Sequence, residues 1–173
     1  MGIRVAAATW ASMDRLVIEH ATRGILNEGT LKIWQSTIQQ NTVGGIYSTG
    51  PLTMVDSTVA SNSANATLTA GGISVLDTTA WITNSTVVDN VQDGGGGGIY
   101  LGEESYPGGD RPSLYLHNVT ITGNSSAAYW GAGVRVSTGT VFVANSIVYD
   151  NSSPWEGHSD FGLDGWASGS PLG

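Results

Sequence analysis

Residues 80–90 read AWITNSTVVDN, and GGIY follows at 97–100. The same unit recurs as LKIWQSTIQQN (31–41), LTMVDSTVASN (52–62), LYLHNVTITGN (114–124) and VFVANSIVYDN (141–151), each copy closing on asparagine. The glycine signature recurs as GGIY at 44–47, GGIS at 71–74 and GAGVR at 131–135, with RGILNEG at 23–29 as an earlier relative. The closing asparagines stand 21, 28, 34 and 27 residues apart. A fixed set of strands joined by elastic loops accommodates that variation, whereas a helical repeat has no room to stretch by so much.

Within a copy the apolar positions alternate, as at Leu52, Met54 and, beyond Ser57, Val59; this is the period of a strand. Threonine, valine and isoleucine dominate, so strand propensity agrees with the pattern. Each copy predicts three short strands: the glycine-isoleucine segment, the segment of Leu31 and Ile33, and the Ser-Thr-Ile/Val triplet. Turns too short for a crossover helix then stack the strands in parallel as coils. The expectation is an all-β chain: a right-handed parallel β-helix solenoid of about five to six coils, three short strands per coil. Five coils at about 4.8 Å each make a rod on the order of 24 Å long. Residues 1–15 read as an N-terminal segment or cap, 16–151 as the repeats, and 152–173 as a glycine-rich C-terminal cap or truncated coil. Ile38, Val59, Val87, Ile121 and Val148 are expected to point inward as the main aliphatic stack. Gln35, Asp56, Asn84, Asn118 and Asn145 fall where a left-handed corner joins the second and third strands, and the closing asparagines are read as the next such corner.

Composition bounds the rest. The chain has 173 residues, 40% hydrophobic and 12% charged, which suits one domain, and its 25 glycines argue against a helical bundle. A net charge of −8 repels phosphate backbones and disfavours nucleic acid as a partner. No apolar run is long enough for a transmembrane segment, and Asp14, Arg15 and Glu19 interrupt the place of a signal peptide. Cysteine is absent, so no disulfide framework exists.

The pairing of GGI with an aliphatic-x-x-Asn motif resembles the repeats of polymorphic outer membrane proteins, with Ile or Val where those commonly place Phe. The NST triplets and the NSIVYDN ending, followed by Asp160 and Gly162, are more similar to bacterial extracellular β-helix proteins of the pectin-lyase-like superfamily. The resemblance covers roughly residues 16 to 165. It implies an extracellular or bacterial cell-surface protein and a superfamily that mixes polysaccharide lyases, glycosidases and adhesins.

Alternation places Leu26, Tyr47, Ser74, Tyr100 and Arg135 outward on the first strand, the face that holds substrate in the resembling lyases. Tyr47, Tyr100 and Arg135, with Glu103 and Asp110 from the long 101–113 loop, are the expected ligand-binding residues: rings to stack a sugar and a guanidinium to pair a uronate. On the second strand Trp81, Tyr115 and Phe142 form an outward aromatic patch, the expected interface, to be covered by the N-terminal segment around Trp10, a second copy of the protein or a glycan; a cell-surface protein is a further partner expected of the scaffold. The outward threonines Thr37, Thr58, Thr86 and Thr120 hint at ice binding, but the companion file of Gln39, Ala60, Val88, Thr122 and Tyr149 lacks the paired threonine row. Asp89 and Asp150 share a column two coils apart, about 9.6 Å by strand spacing, at the edge of the separation for an inverting glycosidase. They are the weak catalytic candidates. A lyase needs clustered cations, and Lys32, Arg111 and Arg135 do not fall together. Asp89, Asp93 and Asp150 match no calcium loop, so no metal and no cofactor is expected. The sequons at Asn65, Asn84 and Asn118 are spelled by the repeat itself. The favoured function is a non-catalytic surface or adhesin-type scaffold that binds polysaccharide; the alternative is a glycoside hydrolase or lyase.

Overall fold

The computed structural model describes residues 2–65, 69–104, 111–127, 131–154 and 159–163. Every strand pairing among them is parallel, and the chain visits three sheets in rotation. The first stacks Ile3–Val5, Ile25–Asn27, Ile46–Ser48, Ile73–Leu76, Ile99–Gly102, Val134–Val136 and Phe161–Leu163. The second stacks Trp10–Asp14, Thr30–Trp34, Leu52–Val55, Thr79–Thr83, Ser113–His117 and Thr140–Ala144. The third stacks Val17–Glu19, Thr37–Gln39, Thr58–Ala60, Thr86–Val88, Thr120–Thr122 and Ile147–Tyr149. Each strand lies beside the corresponding strands of the coils before and after it, which is a parallel β-helix of six coils built on these three sheets, with the first strand of a seventh. Residues 3–14 carry two strands in register with those of the next coil, so they belong to the repeat. Coils three to five add a short fourth strand, at Ser63–Ala64, Val91–Gln92 and Ser125–Ser126.

The inward column is as the alternation requires. Ile38, Val59, Val87 and Ile121 are fully buried and in register on neighbouring coils. Burying each such side chain is worth roughly 1.5–3 kcal/mol. Val148, on the last coil of its sheet, is only half-buried.

The two corners differ. Between the second and third sheets, Arg15, Gln35, Asp56, Asn84, Asn118 and Asn145 all take φ between 46° and 55°, the left-handed corner the sequence predicts. Their side chains face solvent, and Asn118 Nδ2 donates to Asn84 Oδ1 at 3.0 Å. At the next corner the left-handed residue is the one before the asparagine: Gln40, Ser61, Asp89, Gly123 and Asp150, with φ from 53° to 66°. That is a correction by one residue. The left-handed turn reverses the outward direction, so the following asparagine points inward, and Asn41, Asn62, Asn90, Asn124 and Asn151 are 0–6% exposed.

Burial obliges those amides to pair. In each step the backbone N–H and Nδ2 of one asparagine donate to Oδ1 of the next, at 2.8–3.1 Å, from Asn41 through Asn151. Nδ2 also donates to carbonyls on the preceding coil, such as Val59 O from Asn90. This ladder explains the second glycine of each GGI signature. A Cβ at Gly24, Gly45, Gly72, Gly98 or Gly133 would lie 2.7–3.1 Å from ladder asparagine side-chain atoms and would meet the carbonyl of the next coil's residue. The two motifs recur together because one fits against the other.

At the seventh coil Asp160 stands in that glycine column, since Phe161 pairs with Val134. Its Oδ1 accepts from Asn151 N (3.0 Å) and Nδ2 (2.9 Å), satisfying the last donors of the ladder. A second ladder runs beside it, where Ser36, Ser57 and Ser85 each accept a backbone N–H from the coil before.

Candidate functional site

The outward face of the first sheet changes character along the rod. In coils two and three Leu26 and Tyr47 are half-buried, whereas in coils four to six Ser74, Tyr100 and Arg135 are buried. The expectation that Tyr100 and Arg135 face a ligand is corrected by their exposures of 1% and 6%. Segments entering the sheet fold over this face: Ala70 packs with Leu76 and Tyr100 in a small second cluster, and Ala70 N–H donates to Ser74 Oγ at 2.8 Å. A Cβ at Gly96 would lie 3.2 Å from Arg135 Cβ, so glycine lets that segment press against the arginine. The Arg135 guanidinium lies 5.6 Å from the Tyr100 ring centre, making the pair part of the packing of this end.

Tyr47, by contrast, borders an open cleft of about 360 Å³ lined by Arg23, Leu26, Glu28, Tyr47, Thr49, Thr69 and Glu104. Three levels of the rod contribute. Arg23 precedes the second coil's first strand, Tyr47 lies on the third coil, and Glu104 follows the fifth coil's first strand. The Arg23 guanidinium sits 4.5 Å over the Tyr47 ring, and Tyr47 Oη donates to Glu104 Oε1 at 2.8 Å. Glu104 is anchored in turn by its N–H, which donates to Asp77 Oδ2 at 3.1 Å. Arg4 holds the other acid, with Nη2 2.7 Å from Glu28 Oε2. Burial raises the Tyr47 phenol above the ordinary tyrosine value, and the hydrogen bond and charge of Glu104 push it further the same way. The hydroxyl therefore remains a neutral donor to Glu104, with lone pairs left to accept from a ligand.

Of the sequence-predicted ligand residues that are described, only Tyr47 enters this cleft. Glu103 turns to the sixth coil and accepts from Thr138 Oγ1 at 3.1 Å, while Asp110 lies outside the described residues. Arg23, Glu28 and Glu104 complete the cleft. Glu104 stood in the loop singled out by its length; Arg23 and Glu28 flank the early GI motif and carry no spacing signal of their own.

Trp81, Tyr115 and Phe142 are in register on successive coils and stack. Ring centres are 5.8 Å apart for Trp81–Tyr115 and 4.6 Å for Tyr115–Phe142, with planes within 8° of parallel. Both faces of Tyr115 are therefore taken by its neighbours, while Trp81 and Phe142 each stack on one side only and are 44% and 48% exposed. The exposed rings form an apolar strip suited to contact with another surface.

Asp89 and Asp150 occupy the left-handed corner column with Gly123 between them. Both are exposed, and a Cβ at Gly123 would meet Asp89 Oδ1. The glycine thus makes room for the carboxylate over the corner. No cluster of three or more metal-ligating side chains occurs among the described residues.

Fold and site together define a parallel β-helix repeat protein with a polar cleft on one outward face. Comparison of the chain with protein-family models, curated proteins and solved structures returns no match. No described helix is long and apolar enough to cross a membrane.

Proposed function

We propose that the chain is an exported scaffold of the pectin-lyase-like kind, displayed at a bacterial surface, that binds carbohydrate without cleaving it. Its binding site is the Tyr47 cleft. The observation that carries this reading is the open, polar shape of that cleft, where an arginine, a tyrosine and two glutamates converge from three coils. Sugars are recognised by such mixed donors and acceptors around a partly apolar wall, which Leu26 and the Tyr47 ring supply. The repeat's resemblance to surface β-helix proteins supports the location. The exposed Trp81–Tyr115–Phe142 column is a separate contact surface in this reading, and it serves self-association; Trp81→Ser then converts a dimer to monomer in sedimentation velocity.

The convergence of Glu28 and Glu104 on one cleft favours a second reading, hydrolysis by a pair of carboxyls. One experiment separates the two. The protein is incubated with neutral, amino and uronate polysaccharides while bound material, new reducing ends and unsaturated products are followed. Retention without products, lost in Tyr47→Ala, supports the scaffold. Products that vanish in Glu28→Gln or Glu104→Gln establish the hydrolase, and silence on both counts rejects both.

A further inference from the structure

We infer that the Tyr47 cleft selects uncharged saccharides, whose hydroxyls accept from Arg23 and donate to Glu104, over amino and uronate sugars. The inference rests on the glycan-binding reading above and adds the ligand class.

Hydrogen bonds and charges are distributed differently in this cleft. Of its three charged side chains only Glu28 has a counter-ion, with Arg4 Nη2 at 2.7 Å and Nε at 2.8 Å from its Oε2. Glu104 is held by the Tyr47 hydroxyl, a neutral donor that occupies Oε1 and leaves the negative charge in place. Arg23 lies over the Tyr47 ring and, like Glu104, makes no ion pair among the described residues. One uncompensated charge of each sign therefore flanks the same phenol. Asp77, which anchors Glu104 from behind, does not line the cleft. A charged ligand group at this phenol is attracted by one neighbour and repelled by the other, so the two Coulomb energies offset while the cost of stripping water from the group remains. A sugar hydroxyl has one donor, two lone pairs and no charge to desolvate. It matches a wall that presents guanidinium donors on one side and, on the other, Oε2 of the exposed Glu104. The chain's net charge of −8 acts over the whole surface and is screened beyond about 8 Å at physiological salt.

The test is calorimetric titration of the whole protein, at physiological ionic strength, with equal-length oligomers of glucose, glucosamine and glucuronic acid, and of galactose, galactosamine and galacturonic acid. A mildly acidic buffer keeps the amine protonated and the carboxyl ionised. In at least one series the neutral oligomer is expected to bind about tenfold more tightly than both charged members. Glu104→Gln leaves Arg23 uncompensated and is expected to raise the affinity for the uronate, relative to the neutral oligomer, about tenfold. Arg23→Gln leaves Glu104 uncompensated and is expected to do the same for the amino sugar. Asp56→Asn, which removes an exposed corner charge outside the cleft, is expected to shift neither preference. A charged oligomer that binds the unaltered protein as tightly as its neutral counterpart overturns the ligand class while the glycan-binding reading stands. Preferences that stay put in Glu104→Gln and Arg23→Gln, or move no further than in Asp56→Asn, overturn the inference as well. Absence of binding by every oligomer overturns it together with the reading beneath it.

Discussion

Replacing Asn90 by alanine tests whether the buried ladder holds the coils together. Asn90 Oδ1 accepts from Asn62 N (3.0 Å) and Asn62 Nδ2 (2.9 Å), and Asn90 Nδ2 donates to Val59 O, Val88 O and Asn124 Oδ1 at 2.9–3.0 Å. Truncation leaves two buried donors of Asn62 without that acceptor. Some partners survive: Asn62 Nδ2 still reaches Ile38 O, Val88 O still accepts from Ser61 N, and Asn124 Oδ1 keeps the Asn90 N–H. At about 1–3 kcal/mol for each stranded donor, the expected loss is about 2–6 kcal/mol, centred near 4. Typical domains hold about 5–15 kcal/mol in all, so this is a large fraction. The control is Asn118→Gly at the exposed corner, where one solvent-facing bond to Asn84 is lost and glycine tolerates φ 55°. It should cost no more than about 1 kcal/mol. Urea unfolding followed by tryptophan fluorescence and far-ultraviolet dichroism gives both numbers, with the m-value checking that the transition is unchanged. A loss below about 1.5 kcal/mol for Asn90→Ala, or one no larger than that of Asn118→Gly, refutes the reasoning, because the stranded donors would then have found water.

Other outcomes follow from the same geometry. Gly72→Ala should destabilise strongly, and adding Asn90→Ala should not rescue it, because the new Cβ meets Gly98 O as well as Asn90 Nδ2; recovery in thermal melts of the double variant contradicts this. Asp160→Ala strands the Asn151 N–H and leaves Nδ2 with Ile121 O and Tyr149 O alone, so hydrogen exchange should quicken in the last coils and not in the first three; uniform quickening argues against a local cap. The Tyr47 phenol is raised, so folded and unfolded chains both keep its proton below the ordinary value of about 10. Above that only the unfolded chain gives it up, and stability falls as pH rises. Tyr47→Phe should remove a late component of the phenolate absorbance titration and flatten the alkaline loss of stability; an unchanged titration rejects the shift.

Much of the fold is legible because its signals are local. Alternation in AWITNSTVVDN assigns the inward Ile82 and Val87, and turn chemistry at Asn84 assigns a left-handed corner, each within a few residues. The second corner misled for a physical reason: Asp89 and Asn90 both suit a left-handed turn, and only the backbone decides which one takes it and which is carried inside. The candidate site was legible at Tyr47 and, through the length of the 101–113 loop, at Glu104, but not at Arg23 or Glu28. Tyr100 occupies the same strand position on a later coil, yet Ala70 and Leu76 cover it, and nothing in the strand pattern distinguishes a covered tyrosine from an open one.

The sequence by itself determined the repeat: parallel strands in threes, an aliphatic inner column, left-handed corners, and glycine paired with asparagine. These depend on side-chain period and backbone preference, which act over a few residues and repeat with every coil. Only the tertiary structure decided that the asparagines form a buried ladder, that Asp160 closes it, and that Arg23, Tyr47 and Glu104 share a cleft. Tyr47 and Glu104 are 57 residues apart, and the hydrogen bond between them depends on how the coils stack and where the loops lie. That placement is a property of the assembled rod and of no single coil.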